Sequence, residues 1–298
     1  MKTFASVCIL TVILAVAFSN ASAQKGSSTK SRATKPSGKS SSPRDSSNAE
    51  PGLVQVPKNI DHRPFELLLK KYVDEHGLVK YGAWKNSEAD LTALRRYTEQ
   101  FSRGESFSSG EDRAASLINA YNAFTIRWIL ENYPVPSIWE TKEPFKAKRH
   151  LIGGQTVSLD DIEKQTLVPL IGYREHATVV CAARSCPPLR REAYRGDVLE
   201  KQLDEAMRFW LARDDLNHFD PQKREAQVSS VFKWFKDDFG GQDEGIVAVL
   251  AKYAPAQYQE FLRSPGVKVD YLEYDWGLND QGEQGRNYRR GLLKKLFR

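Results

Sequence analysis

A chain of 298 residues, 40% hydrophobic and 28% charged, carries enough apolar material for one large or two small cores. The formal net charge of +6 sits at the two ends: residues 24–52 carry +4, residues 286–298 carry +6 and Lys2 adds one, which leaves the body between them at −5. A mildly acidic body excludes a reader of specific nucleic-acid sequences, which would place its basic stripe on the folded surface.

In chain order, Lys2, an apolar run over 4–18 and Ala21-Ser22-Ala23 before Gln24 give the charge, core and cleavage pattern of a secretory signal peptide. The apolar run is shorter than the roughly 20 residues that span a bilayer, so residues 1–23 are expected to be removed, Cys8 with them. The mature protein is therefore expected to be secreted or periplasmic. Residues 24–52 are Ser-, Lys- and Pro-rich and almost without apolar side chains, the composition of a disordered basic linker.

The globular domain is expected over 53–283. A helix is predicted at about 61–76, where Phe65, Leu68, Leu69, Tyr72 and Val73 share a face, followed by a strand-like Leu78-Val79-Lys80-Tyr81. Helices follow at about 87–102 and 111–132, the second being the longest and ending at Tyr133-Pro134. Gly153-Gly154 suggests a hairpin turn between residues 150–152 and 155–157, and Ser158 with Asp161 forms a capping-box pattern. Ala177-Thr178-Val179-Val180 reads as a short buried strand. Beyond it come a helix at about 197–212, a strand at about 226–230 and helices at about 231–238, 243–253 and 256–263. Few short strands among many helices predict an α+β class: a helix-rich single domain with a small, mainly antiparallel sheet. Residues 284–298 close the chain as a basic amphipathic tail, with Leu292, Leu293, Leu296 and Phe297 at helical spacing.

The richest stretch chemically is 176–189, HATVVCAARSCPPL, with a histidine and both thiols of the mature chain within fourteen residues. Pro187-Pro188 suits a first helical turn, which would set Cys186 at a helix N-terminus where the dipole favours a thiolate. In an oxidising compartment, Cys181 and Cys186 would instead pair around an Ala-Ala-Arg-Ser loop. Cys181, Cys186 and His176 are three potential metal ligands, but the cysteine spacing is wide and a fourth ligand is not evident, so no metal is assigned. Neither Gly153-Gly154 nor Gly240-Gly241 forms a phosphate loop, and no cofactor is read.

The ordered segments LINAYNAFTIRWILENYP (117–134), SLDDIE (158–163), HATVVCAARSCPPLRREAY (176–194), SSVFKWFKDDFGG (229–241) and YLEYDWGLND (271–280) resemble the domain-of-unknown-function 547 family. The resemblance implies a bacterial-type exported member and no established activity. The family pattern usually has a histidine directly after the glutamate of the second segment; here that residue is Lys164.

Two readings follow. In the first, the protein is a thiol-dependent hydrolase or acyltransferase acting on a peptide or amide, with an architecture of the papain or transglutaminase kind. Cys186 (or Cys181) would be the nucleophile, His176 the base and Glu163 or Asn119 the orienter, with Asn119, Tyr121 and Asn122 binding substrate. In the second, it is a non-catalytic envelope or extracellular module that binds a peptide or glycan, its loop rigidified by a disulfide. In either, the basic tails would contact an envelope polyanion or an anionic membrane surface. His62, His76, His150 and His218 stand in polar, turn-like contexts.

Overall fold

The centre of the fold is the longest predicted helix, α4 (Gly110–Asn132), whose buried residues Leu117, Ile118, Ala120, Ala123, Ile126 and Ile129 lie on all of its sides. A helix apolar all round belongs in a core. The structure is a computed structural model that describes residues 54–286 and Tyr288. The expected leader (1–23), the linker (24–52) and most of the basic tail (284–298) lie outside the described residues.

Around α4 the N-terminal elements build one apolar cluster. α1 (Arg63–Tyr72), α2 (Tyr81–Lys85) and α3 (Glu88–Glu99) pack together, with Phe65 stacked on Tyr97 at 4.9 Å and Tyr72 on Trp84 at 4.6 Å between ring centroids. Ser87 caps α3 by accepting a hydrogen bond from the Asp90 N–H, the local reason for its start. The predicted hairpin is present as β1 (His150–Ile152) and β2 (Gln155–Val157), turning through Gly153 and Gly154, both at positive φ. The capping box also forms: Ser158 Oγ accepts from the Asp161 N–H and the Asp161 carboxylate accepts from the Ser158 N–H, opening α5 (Leu159–Ile162). That helix continues as a π-helical turn, Glu163–Leu167, into α6 (Val168–Ile171).

The C-terminal elements build a second cluster. α7 (Leu199–Leu211) packs against α9 (Asp243–Tyr253), with α8 (Ser230–Trp234) and α10 (Ala256–Arg263) beside them. β3 (His218–Asp220) pairs antiparallel with β4 (Glu225–Val228), which pairs in parallel with β5 (Lys268–Tyr271). The class is α+β with a helical majority, as the sequence implies. Among the described residues the strands form two small sheets rather than one, and β3 and β5 lie outside the strands that the sequence predicts. Among the described residues no helix is long and apolar enough to cross a membrane.

Three local expectations are overturned. Leu78-Val79-Lys80-Tyr81 supplies only isolated bridges, from Val79 to Val73 and Asp280, before α2 begins at Tyr81. Residues 177–180 are not a strand. A 3-10 segment, Gly172–Ala177, runs into an irregular stretch whose N–H groups are satisfied by the Glu175 carbonyl, at Thr178 and Val179, and by the Asn122 side chain, at Val180. Their partners come from a turn and a distant amide, so no ladder forms. Nor does a helix begin at Pro187: the chain stays irregular to the 3-10 turn Gly196–Val198. Pro187 itself precedes a proline, and steric clash disfavours the helical region for such a residue. The dipole argument for Cys186 therefore fails.

Candidate functional site

The two asparagines of α4 decide how the cysteine loop is held. Asn119 and Asn122 sit one turn apart on the helix and both are buried. Asn119 Nδ2 donates to the Tyr194 carbonyl at 2.8 Å and its Oδ1 accepts from the Tyr194 N–H at 2.9 Å. Asn122 does the same across one residue, donating to the Thr178 carbonyl and accepting from the Val180 N–H, each at 2.9 Å. Both amides thus take the place of a neighbouring strand for segments that have none. They are committed to backbone and do not line the cavity, so the substrate-binding role expected of them is not supported.

From the other side, residues 275–280 clamp the loop. Arg184 N–H donates to the Gly277 carbonyl, Ser185 N–H to that of Asp275 and Asn279 N–H to that of Ala182. Ser185 Oγ in turn accepts from the Asp275 N–H at 2.9 Å, and Arg184 Nη2 donates to the Asp280 carbonyl at 2.8 Å. Ala182 takes a left-handed conformation, φ 59°, unusual for a residue with a Cβ. This reversal folds the loop back so that Cys181 Sγ and Cys186 Sγ lie 2.9 Å apart. They are free thiols. The expected disulfide is not formed: the loop closes as its length allows, but the separation exceeds the roughly 2.05 Å of an S–S bond.

The thiols are not equivalent. Cys181 is partly exposed and Cys186 is buried. Burial works against a thiolate at Cys181, but hydrogen bonds from Cys186, from the Tyr274 hydroxyl at 3.2 Å and from the Ala183 N–H outweigh it and hold the thiol below its ordinary value. Burial, and then the neighbouring Cys181 sulfur, push Cys186 well up. Of the two thiols, Cys181 rather than Cys186 is the one whose surroundings favour the thiolate.

Both sulfurs face a cavity of about 840 Å³ that Tyr121, Glu163 and His176 also line. His176, fixed in the 3-10 segment, sets Nε2 at 2.8 Å from Asp238 and Nδ1 at 2.9 Å from Glu175. Burial opposes a charged ring, yet the Glu175 and Asp238 carboxylates raise its pKa to about 9. With both ring nitrogens facing carboxylates, His176 does not form a dyad with either sulfur, and the Cys–His–Glu triad is not assembled. Glu163, on the π-helical turn, accepts from the Tyr121 hydroxyl at 3.0 Å. Burial and then the charge of Glu175 push its carboxyl up to about 8. Lys164, next in the chain, turns to Asp160 at 3.1 Å.

An aromatic wall completes the cavity. Trp234 is 47% exposed and stacks on Trp276 at 5.6 Å, with Tyr274 4.7 Å from it. Among the other histidines, His150 is not in a polar turn: it is buried and stacks on Phe124 at 4.4 Å. His62 is hydrogen-bonded to Tyr97 Oη and Ser116 Oγ.

Glu175, Asp238 and Tyr274 were missed as site residues. Glu175 and Asp238 sit in short charged runs, YREH and KDDF, that read as solvated surface. Tyr274 stands in the sequence only within the segment YLEYDWGLND (271–280), with nothing local to tie it to a cysteine 93 residues away.

The molecule is thus a helix-rich α+β protein with a paired thiol and a buried histidine–carboxylate cluster on one cavity. Residues 105–211, about a third of the chain, match the family model described as "Protein of unknown function, DUF547". The match takes in Asn119, Tyr121, Asn122, Glu163, His176 and both cysteines, while Asp238 and the aromatic wall lie beyond it. No curated protein and no solved structure matches the chain.

Proposed function

We propose that this is an exported, thiol-dependent hydrolase or acyltransferase acting on a peptide or amide, with Cys181 as nucleophile. The observation that carries it is the convergence of Cys186, the Tyr274 hydroxyl and the Ala183 N–H on the Cys181 sulfur at the cavity wall. Three donors on one sulfur favour the thiolate, which is the reactive form. The left-handed Ala182 that turns the following N–H toward the sulfur resembles the backbone nests that bind anions.

In this reading the thiolate adds to the carbonyl carbon of a bound amide. The C–N bond then breaks, and the amine departs with a proton equivalent to the one Cys181 released on ionising. Water adds to the resulting thioester to give the acid and regenerate the thiol; an amine in its place completes an acyl transfer. Tyr121 and Glu163 supply polar lining to the same cavity.

The exposed stack of Trp234 on Trp276 favours a second reading, a non-catalytic module that binds a peptide or glycan against the aromatic face. Labelling with iodoacetamide across pH 5–9, read by peptide mass spectrometry, separates the two when combined with turnover of glutamine-amide and nitrophenyl-ester substrates. Cys181 is expected to label first, well below about pH 8. Turnover is expected to vanish in Cys181→Ser and to persist in Cys186→Ser. Equal turnover in wild type and Cys181→Ser, or labelling of both thiols only in strong base, would sink the enzymatic reading.

A further inference from the structure

We propose that Glu163, Glu175 and His176 hold one divalent transition-metal ion, bound through a carboxylate oxygen of each glutamate and Nδ1 of the imidazole. All three residues are buried, and one donor atom from each lies within 4.8 Å of the other two. No cysteine belongs to this group, so the site is separate from the thiol pair although both border the cavity.

Glu175 is the residue that points to a ligand. Its side chain has no exposed surface. The imidazole of His176 faces Oε2, but Oε1 has no hydrogen-bond partner among the described residues, and a buried carboxylate short of donors is costly unless a cation satisfies it. His176 Nδ1 lies 2.9 Å from Glu175 Oε2, but the two are not aligned as a hydrogen bond. Donors about 2.1 Å from a common ion, at angles between right and tetrahedral, lie about 3.0–3.4 Å apart, which is close to this separation. At 2.9 Å the pair is an ion pair when the ring is protonated, and a bound ion would take the place of that proton after a shift of a few tenths of an ångström.

The surroundings have the form of an outer shell. His176 Nε2 lies 2.8 Å from Asp238, so that carboxylate fixes the ring and leaves Nδ1 as the inward donor, the relation by which carboxylates orient metal-bound histidines. Tyr121 donates to Glu163 Oε2 and so orients the second carboxylate. Glu163 and His176 both border the cavity, so a three-ligand ion here would keep a coordination position open to it. Two oxygen donors and one imidazole suit manganese, iron(II) or zinc and do not select copper(I), which prefers sulfur.

Manganese(II) is the probe, because thiols compete for it poorly. The protein, stripped with a chelator, is titrated with Mn2+ and the free ion is followed by electron paramagnetic resonance. The expected result is one ion per chain with Kd below about 1 mM. Binding should weaken at least about tenfold in Glu163→Gln and in Glu175→Gln, and should be unchanged in the Cys181→Ser/Cys186→Ser double variant. Circular dichroism of the stripped variants controls for folding. Should Glu175→Gln fail to fold, Glu163→Gln and the cobalt(II) spectrum of the wild type decide. Strong near-ultraviolet thiolate-to-cobalt absorption would place the ion on the cysteines and overturn the proposal. Absence of Mn2+ binding, or binding indifferent to both glutamine variants, would also overturn it. Loss of thiol reactivity with Mn2+ binding intact would count against the hydrolase reading alone.

Discussion

Cys181 Sγ lies 2.9 Å from Cys186 Sγ, and the pair divides its acidity unequally: the partly exposed sulfur is held low and the buried one is pushed high. At this separation, ionising one sulfur opposes ionising the other, so the pair is expected to carry one negative charge rather than two. Cys186 Sγ accepts from the Cys181 N–H at 3.0 Å, but burial outweighs that bond, while at Cys181 the Tyr274 hydroxyl and the Ala183 N–H help to overcome burial.

Removing one donor should be visible in solution. Tyr274→Phe deletes the hydroxyl 3.2 Å from Cys181 Sγ and keeps the ring. A hydrogen bond to a charged group contributes about 1.5–3 kcal/mol, equivalent to roughly one to two pH units. The midpoint of the pH dependence of Cys181 alkylation should therefore move upward by about that amount. An unmoved midpoint would show that the hydroxyl does not serve the thiolate.

Asn122→Ala should destabilise the fold by about 2–4 kcal/mol, since it leaves the Thr178 carbonyl and the Val180 N–H without their partner in a buried setting. Chemical denaturation measures this. The same variant should blunt the reactivity contrast between the two cysteines, because the loop bearing Cys181 starts from that anchored backbone. Asn119→Ala should match it in stability, through Tyr194, while leaving the thiol contrast intact.

Two histidines remote from the cavity make stability fall toward acid. Burial, followed by the charges of Arg149 and Arg127, depresses His150 to about 3, and burial depresses His62 to about 4 against the opposing charges of Asp61 and Asp112. Between those values and the unfolded value of 6.5, the unfolded chain binds protons that the folded chain refuses, so stability rises with pH across this window. Their contribution is complete above about pH 6.5 and is lost as pH drops. From pH 7 to 5, each should cost roughly 2 kcal/mol. Denaturant midpoints at pH 7, 6 and 5 should show it, and His150→Leu should flatten the slope; an equally steep slope in the variant would refute the assignment.

Gly77→Ala tests the support behind the cysteine loop. Gly77 has φ +80°, and a Cβ there would stand 2.5 Å from Leu189 N and 2.7 Å from Pro188 Cα, the backbone just after Cys186. Left-handed strain alone costs about 1–2 kcal/mol, and the clash adds to it. A loss of at least about 2 kcal/mol is expected in thermal or denaturant unfolding, with faster labelling of Cys186 as its cover loosens.

What the sequence determined by itself is local. Ser158 and Asp161 cap each other across three residues, Gly153-Gly154 turns a hairpin that needs positive φ, and the apolar run of 111–132 demands burial as a helix; each is written within one turn or one helix of chain. The helical majority and the thiol region followed from the same short-range chemistry. Tertiary structure alone decided the site. The stretch 177–180 has strand composition but receives its partners from Asn122, 56–58 residues away, and so never enters a sheet. Pro187-Pro188 suited a helix start until its own pre-proline restriction and the packing of Gly77 kept it irregular. His176 was read against Cys186, but its ring is held by Glu175 beside it and by Asp238, 62 residues on. A side chain's partner is set by which buried groups remain unsatisfied after the chain has packed, and that quantity exists only once the distant segments have come together.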